Sequence, residues 1–246
     1  NVGLGDYDSI TPAKLREFHR QHYAPANCRI LVAGKEDRGL MGLLDSHFGS
    51  WKGGAKPDAV SSVFDPPGDK KVHIPKQGAL QSAIRIGRVL FNRLHPDYMD
   101  MQVVNTILGG YFGSRLMANI REDKGYTYGI GSAVSSMMHS GTFMISTEVG
   151  AEVRADALKE IYSEIARLRE EQVGEEELDT VKNYMMGTYL SSWDGPFQMA
   201  DRIRTLRQFG LGREHFEGLL RSIREISPDR IQELSGRYFR EEDLKE

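Results

Sequence analysis

Apolar and polar positions alternate with period two over Leu80–Leu90: Leu80, Ser82, Ile84 and Ile86 fall on one side, Gln81, Ala83 and Arg85 on the other. This is the pattern of a strand with one buried face. Thr127–Met138 and Thr142–Val149 read as two further strands, with His139-Ser140-Gly141 between them as a hairpin turn. Val72–Pro75 reads as a short strand ahead of all three. Pro96-Asp97 opens a helix that runs to about Leu108, where Gly109-Gly110 breaks it. A second helix is expected from about Ser114 to Asp123, and Gly125 then turns the chain. From Ala155 onward the spacing is almost wholly helical. Leu158, Ile161, Ile165 and Leu168 form one stripe; Leu178, Val181 and Met185 form the next; Ile203 with Leu206, then Phe216, Leu219, Leu220 and Ile223, complete the series. Glu175, Glu176 and Glu177 stand in a first turn, where the positive end of the helix dipole favours them. The fold class expected is α+β, a mainly antiparallel sheet covered by helices.

Two distant stretches share one pattern. Thr11-Pro12 and Ser227-Pro228 each supply a capping hydroxyl followed by proline at the first helical position. Leu15 then matches Ile231, Glu17 matches Glu233, and Phe18 matches Leu234, all at an offset of 216 (227 − 11). Self-similarity at a long fixed period points to duplication. The apolar run Asn27–Gly34, expected to be a buried strand, follows the first copy; the second copy is followed by no such run. With no initiator Met at Asn1, this predicts a piece of a longer chain. The expected division is residues 1–50 as the tail of a preceding half, 51–69 as a Gly- and Pro-rich linker, and 70–246 as a domain of its own. We further expect Asn27–Gly34, which carries Ile30, Leu31 and Val32, to fill a vacant place in the second copy's sheet, because exposing three such side chains costs several times ~1.5 kcal/mol.

Composition narrows the function classes. Of 246 residues, 32 are Lys or Arg and 35 are Asp or Glu, a net charge of −3, without the basic excess of a nucleic-acid wrapper. No apolar run reaches the ~18 residues of a spanning helix, so no membrane partner is expected. The single cysteine, Cys28, forms neither an internal disulfide nor a C-x-x-C metal pair. The compartment stays open between cytoplasm and periplasm for a soluble chain.

The common catalytic signatures, G-x-x-x-x-G-K-[ST], G-x-S-x-G, H-E-x-x-H and H-x-x-E-H, are all absent. Gly109, Gly110 and Gly113 follow a helix rather than a strand, the wrong setting for a phosphate loop. His19 and His22 share a helix face but lack a third ligand, so they read as surface histidines. His73, His95, His139 and His215 are scattered singly. No metal site is expected within the chain.

One stretch carries a sharper signal: L-G-G at 108–110, S-R-L at 114–116, and R-E-x-K-G-x-x-Y at 121–128. It resembles the C-terminal, metal-free half of the M16 metallopeptidases, the insulinase or pitrilysin family of inverted zinc peptidases. Thr11-Pro12, Tyr23-x-Pro25-x-Asn27, Phe48-Gly49-x-Trp51, Gln81, His95-Pro96-Asp97-Tyr98 and Glu175–Leu178 extend the likeness along nearly the whole chain. The resemblance implies one half of an M16 clamshell, of the LuxS/metallohydrolase-like fold. It implies a zinc-dependent endopeptidase that cleaves peptides in a closed chamber. The zinc is bound by an H-x-x-E-H half, absent here, in the same chain or in a partner chain. On this reading Tyr128 carries over as the donor to the tetrahedral oxyanion, and Arg121 as the residue that positions the peptide. Gly109 and Gly110 join Arg121 as substrate-binding candidates. This half alone is expected to be inactive. From the residues alone, a plainer account stands beside this: Arg121 paired with Glu122 or Asp123, and Tyr128 filling the core. The family also holds subunits that lost the zinc motif and serve as partners or scaffolds, which is the alternative function.

Overall fold

A computed structural model describes residues 4–35, 37–54 and 68–246. Backbone contacts divide the chain into Asn1–Pro66 with Gly195–Asp201, and Pro67–Asp194 with Arg202–Glu246. Residues 55–67, most of the expected linker, lie outside the described residues.

The first unit contains α1 (Leu4–Asp8), α2 (Pro12–His22) and α3 (Leu40–Phe48). The Thr11 hydroxyl accepts from the Lys14 N–H at 3.3 Å, so α2 begins at its expected cap. Its apolar stripe is not covered: Leu15 is 57% and Phe18 55% exposed. His19 stacks on Tyr23 and His22 lies against Phe18, ring contacts of a surface helix.

The second unit is built on a three-stranded antiparallel sheet, β1 (Gln81–Leu90), β2 (Ile130–Ser136) and β3 (Gly141–Gly150), in the order β1-β3-β2. Gln81 pairs with Gly150 and Leu90 with Gly141; Ile130 pairs with Thr147 and Ser136 with Gly141. The pleat turns Ile84, Ile86, Phe143, Ile145, Val149 and Val134 to the core. The opposite face stays open, with Ala83, Arg85, Met144, Glu148 and Ala133 exposed. Of its helices α4 (Tyr98–Asn105), α5 (Arg154–Glu170), α6 (Glu175–Ser191), α8 (Glu214–Glu225) and α9 (Pro228–Tyr238), α4 packs on β2 and α5 on β3; α7 (Pro196–Phe209) is divided between the two units, with residues 202–209 in this one. The apolar stripe of α5 buries Ile161, Ile165 and Leu168, with Leu158 at its margin, and α5 packs on β3 and α9. At the centre, the Phe143 and Phe239 rings lie 4.4 Å apart.

The duplication has a structural counterpart. α2 with the 3₁₀ turn Pro25–Asn27, and α9 with the 3₁₀ turn Glu241–Asp243, are displaced by one offset of 216 (228 − 12, 241 − 25). Both caps share one backbone conformation, φ −107°, ψ 158° at Thr11 and φ −99°, ψ 159° at Ser227. Their environments differ: Ile231 and Leu234 of α9 are fully buried, whereas Leu15 and Phe18 are not.

Several expectations are corrected. Asn27–Gly34 forms no strand, and its Ile30, Leu31 and Val32 are 48%, 41% and 53% exposed. The place beside β1 is taken by Lys245, which exchanges backbone bonds with Gly87 at 2.8 and 2.9 Å. Lys245 is the counterpart of Arg29 at the same offset, so the second copy supplies this pairing itself. Val72–Pro75 forms no strand; only the Val72 N–H reaches the Glu246 carbonyl, at 2.9 Å, and Pro75 has no donor to extend a ladder. Leu80 is 86% exposed, one residue before the ladder begins. α7 buries no residue, so Ile203 is not core; among its contacts, the Arg202 guanidinium lies 5.6–5.9 Å from the Phe216, Tyr189 and Trp193 rings, and the Phe209 ring lies 4.6 Å from the Arg93 guanidinium. The helix expected to 108 loosens after Asn105 into a π-helical turn, Thr106–Gly110, and the helix after Ser114 widens similarly over Met117–Asp123.

That first π turn lies against β2. Asn105 Nδ2 donates to the Ser132 carbonyl at 3.2 Å, and Gly109 is buried beneath it. A Cβ on Gly109 would stand 2.6 Å from Ser132 Oγ and 2.7 Å from its backbone nitrogen. Gly109→Ala should therefore destabilise the second unit by about 1–3 kcal/mol through overpacking, read as a lowered denaturation midpoint. An unchanged midpoint would show that the turn can lift away from β2.

A buried carboxylate ties α4 to α9. Asp97 is 6% exposed, and its oxygens accept from Arg230 Nη2 and Tyr238 OH at 2.6 Å and from Arg237 Nη1 at 3.1 Å. Arg230 also reaches Asp100 and Glu233. Burial pushes the Asp97 carboxyl up, but the bonds from Tyr238 and Arg230 outweigh it and hold it below the usual range.

Candidate functional site

The R-E-x-K-G-x-x-Y segment runs from the second π-helical stretch into the loop before β2. The chain leaves the helix through Lys124 N–H to Asn119 O and Tyr126 N–H to Ile120 O, both at 3.0 Å. Gly125 takes φ +67° at this exit, a conformation that strongly favours glycine. Tyr128 does not start a strand as the sequence suggests. β2 begins two residues later, because hydroxyls take over the backbone groups of 127–129. Thr127 Oγ1 donates to the Glu148 carbonyl at 2.7 Å and accepts from the Gly129 N–H at 3.1 Å. Thr147 Oγ1 lies 3.0 Å from both Thr127 Oγ1 and the Gly129 carbonyl. The backbone on either side of Tyr128 is thereby fastened to β3.

Tyr128 itself is 95% exposed, and its hydroxyl has no partner among the described residues. It does not fill the core. Arg121 pairs with neither Glu122 nor Asp123; its guanidinium carbon sits 4.5 Å from the Phe112 ring centroid. Phe112 is 61% exposed, so this stack is on the surface. Both plainer alternatives for the two residues therefore fail on geometry.

Tyr128 borders an open depression of about 310 Å³ on the sheet, lined also by Gln81, Arg85, Thr127, Ser146 and Glu148. Of the residues singled out in the sequence, Tyr128 and Gln81 are brought together there. Arg121, Gly109 and Gly110 do not line it; Gly109 is buried against Ser132, and Gly110 is exposed at the end of its turn. Arg85 and Glu148 were not singled out. The available signal was the alternation of β1, which sets Arg85 on the polar side of the strand.

Among the described residues no three His, Cys, Asp or Glu side chains stand where they could hold a metal, so these residues do not fit a zinc centre. No described helix is long and apolar enough to cross a membrane.

Comparison with known proteins places this geometry among relatives. Residues 9–185 match the family described as the peptidase M16 inactive domain. The chain is 24% identical over 235 residues to the uncharacterized zinc protease YmxG of Bacillus subtilis, covering 95% of this chain and 56% of that protein. It is 26% identical over 226 residues to an uncharacterized zinc protease of Mycobacterium tuberculosis, covering 90% and 51%. The chain thus spans about half the length of these curated relatives. Among solved structures, a peptidase M16 inactive domain from Pseudomonas fluorescens superposes with a TM-score of 0.80 at 24% identity, over 98% of this chain and 58% of that one. A protease from Helicobacter pylori gives 0.85 at 18% identity, over 98% and 59%. These likenesses establish the fold.

Proposed function

The chain belongs to the peptidase M16 family, as its inactive domain, and on that premise we propose that it is the substrate-binding half of a zinc-dependent endopeptidase. Tyr128 supports this reading most directly. A phenol that is 95% exposed, unpartnered among the described residues, and mounted on a fastened loop beside an open depression contributes little to the fold. Its exposure leaves it free to meet a ligand. Its O–H donates to the oxygen that gains charge as a peptide carbonyl becomes tetrahedral, which stabilises that charge without reorganisation of the loop. Arg121 offers guanidinium donors to peptide carbonyls from the surface stack on Phe112. The metal chemistry that the names of the relatives imply lies outside the described residues of this chain.

Zinc analysis provides the first test. The purified chain, dialysed against micromolar zinc, should retain no stoichiometric metal and cleave no peptide. Mixed or fused with a family half that carries H-x-x-E-H, it should restore peptide cleavage. One tightly held zinc per isolated chain would overturn this division of labour.

A second reading has specific support. A Helicobacter pylori relative named non-peptidase homolog YmxG is 27% identical over 198 residues, covering 76% of this chain and 44% of that protein. That name describes a relative without peptidase activity, and on this second reading the chain serves as a partner or scaffold rather than in catalysis. The paired mixture separates the two readings: assembly without cleavage identifies a scaffold.

A further inference from the structure

The open face of the sheet carries a cation whose position is fixed and whose best bonding edge is unused. Arg85 is exposed, and its Nη1 donates to the Ile84 carbonyl at 2.8 Å and to the Thr147 carbonyl at 3.1 Å. These two bonds use both hydrogens of one nitrogen. The other edge, the parallel Nε–H and Nη2–H pair, has no acceptor among the described residues. Arg115 shows what that edge does with a carboxylate: its Nε and Nη2 each lie 2.8 Å from the two Glu177 oxygens. Arg88, Arg230 and Arg240 likewise meet carboxylates of the fold. Arg85 meets none, although it borders the same depression as Tyr128.

We propose that Arg85 determines specificity, taking one carboxylate of a bound peptide through its Nε/Nη2 edge. The carboxylate comes from an acidic side chain or from the peptide's C-terminus, which present the same chemistry. The inference rests on the reading of the Tyr128 surface as peptide-binding. Pinning to two carbonyls means that little side-chain freedom is lost when the ligand arrives, and the fork geometry favours a bidentate anion over a single acceptor. Glu148 lines the same depression, and its carboxylate accepts no hydrogen bond among the described residues. Its charge disfavours a second carboxylate and favours an N–H or ammonium group beside the first. The preferred ligand is therefore a peptide with one acidic group next to neutral or basic positions, not a polyacidic run.

The test is fluorescence anisotropy of labelled peptides of one length binding to this chain. One peptide is neutral and amidated, one carries an internal Glu and is amidated, one is neutral with a free C-terminal carboxylate, and one carries an internal Lys and is amidated. At low salt, a carboxylate peptide should bind about tenfold more tightly than the neutral one, and which of the two does so identifies the source. The preference should vanish in Arg85→Gln and fall in Arg85→Lys, which keeps the charge but not the fork. Glu148→Gln should strengthen carboxylate binding by a few-fold as like-charge repulsion is removed; this arm decides the matter even if an Arg85 variant folds poorly. Carboxylate peptides that bind no better than the neutral one, or equally to the wild type and Arg85→Gln, would overturn the role of Arg85. If such peptides still bind, and Tyr128→Phe still slows cleavage by the paired protein, the wider reading survives that result. Binding of no peptide at all would sink both.

Discussion

Tyr128→Phe, measured in the protein paired with its zinc-bearing half, should lower kcat by about 10²–10³ while leaving KM nearly unchanged. The substitution removes one hydroxyl. That hydroxyl has no partner among the described residues, so the loss should cost the fold no more than the ~0.5 kcal/mol of an ordinary surface change. The loop that carries residue 128 is held by Thr127 and Thr147, which the substitution does not touch. A large loss of rate with an unchanged melting temperature would therefore report lost charge stabilisation in the transition state. Arg121→Ala should behave differently. A guanidinium that holds peptide carbonyls acts on substrate and transition state alike, so KM should rise as kcat falls. Loss of its stack on Phe112 should cost stability about 0.5–1 kcal/mol at most. Wild-type rates in a folded Tyr128→Phe protein would remove the phenol from the chemistry.

Asp97→Ala should destabilise the second unit by about 1–3 kcal/mol, because Tyr238 loses its acceptor while Arg230 keeps only Asp100 and Glu233. For a unit of this size that is on the order of 5 °C in melting temperature. The effect should depend on pH with a definite sign. The folded-state pKa of Asp97 is depressed, so its contribution is present above the unfolded value of about 3.9 and is lost as pH falls through the folded one. The deficit of the variant should be full near neutrality and should shrink at pH values below that range. Denaturant melts at both ends measure it. A deficit independent of pH would mean that Asp97 acts through shape rather than charge.

The amino-acid pattern by itself determined the elements whose signals are local. The alternation from Ser82 to Ile86 set which face of β1 would be buried and placed Arg85 on the other. Thr11-Pro12 and Ser227-Pro228 fixed two helix starts, because a cap is satisfied within three residues. The resemblance of R-E-x-K-G-x-x-Y to the M16 pattern, not its spacing, marked Arg121 and Tyr128, whereas Gly125 by itself marked the turn between them. Tertiary structure decided what these elements meet. The helix pattern shared by α2 and α9 leaves Leu15 exposed and buries Ile231, since periodicity specifies an apolar stripe and not the surface that covers it. Ile203 carried the same ambiguity and is 46% exposed, while Arg202 one residue before it meets the Phe216 ring. The delayed start of β2 depended on a Thr127 hydroxyl meeting a carbonyl 21 residues away. The free edge of Arg85 depended on Thr147, 62 residues away, and the Asp97 network on Arg237, 140 residues away. Periods and caps are satisfied within one or two turns of chain and can be read along it. The bonding of a guanidinium edge, and the exposure of a phenol, are settled by residues that only folding brings near.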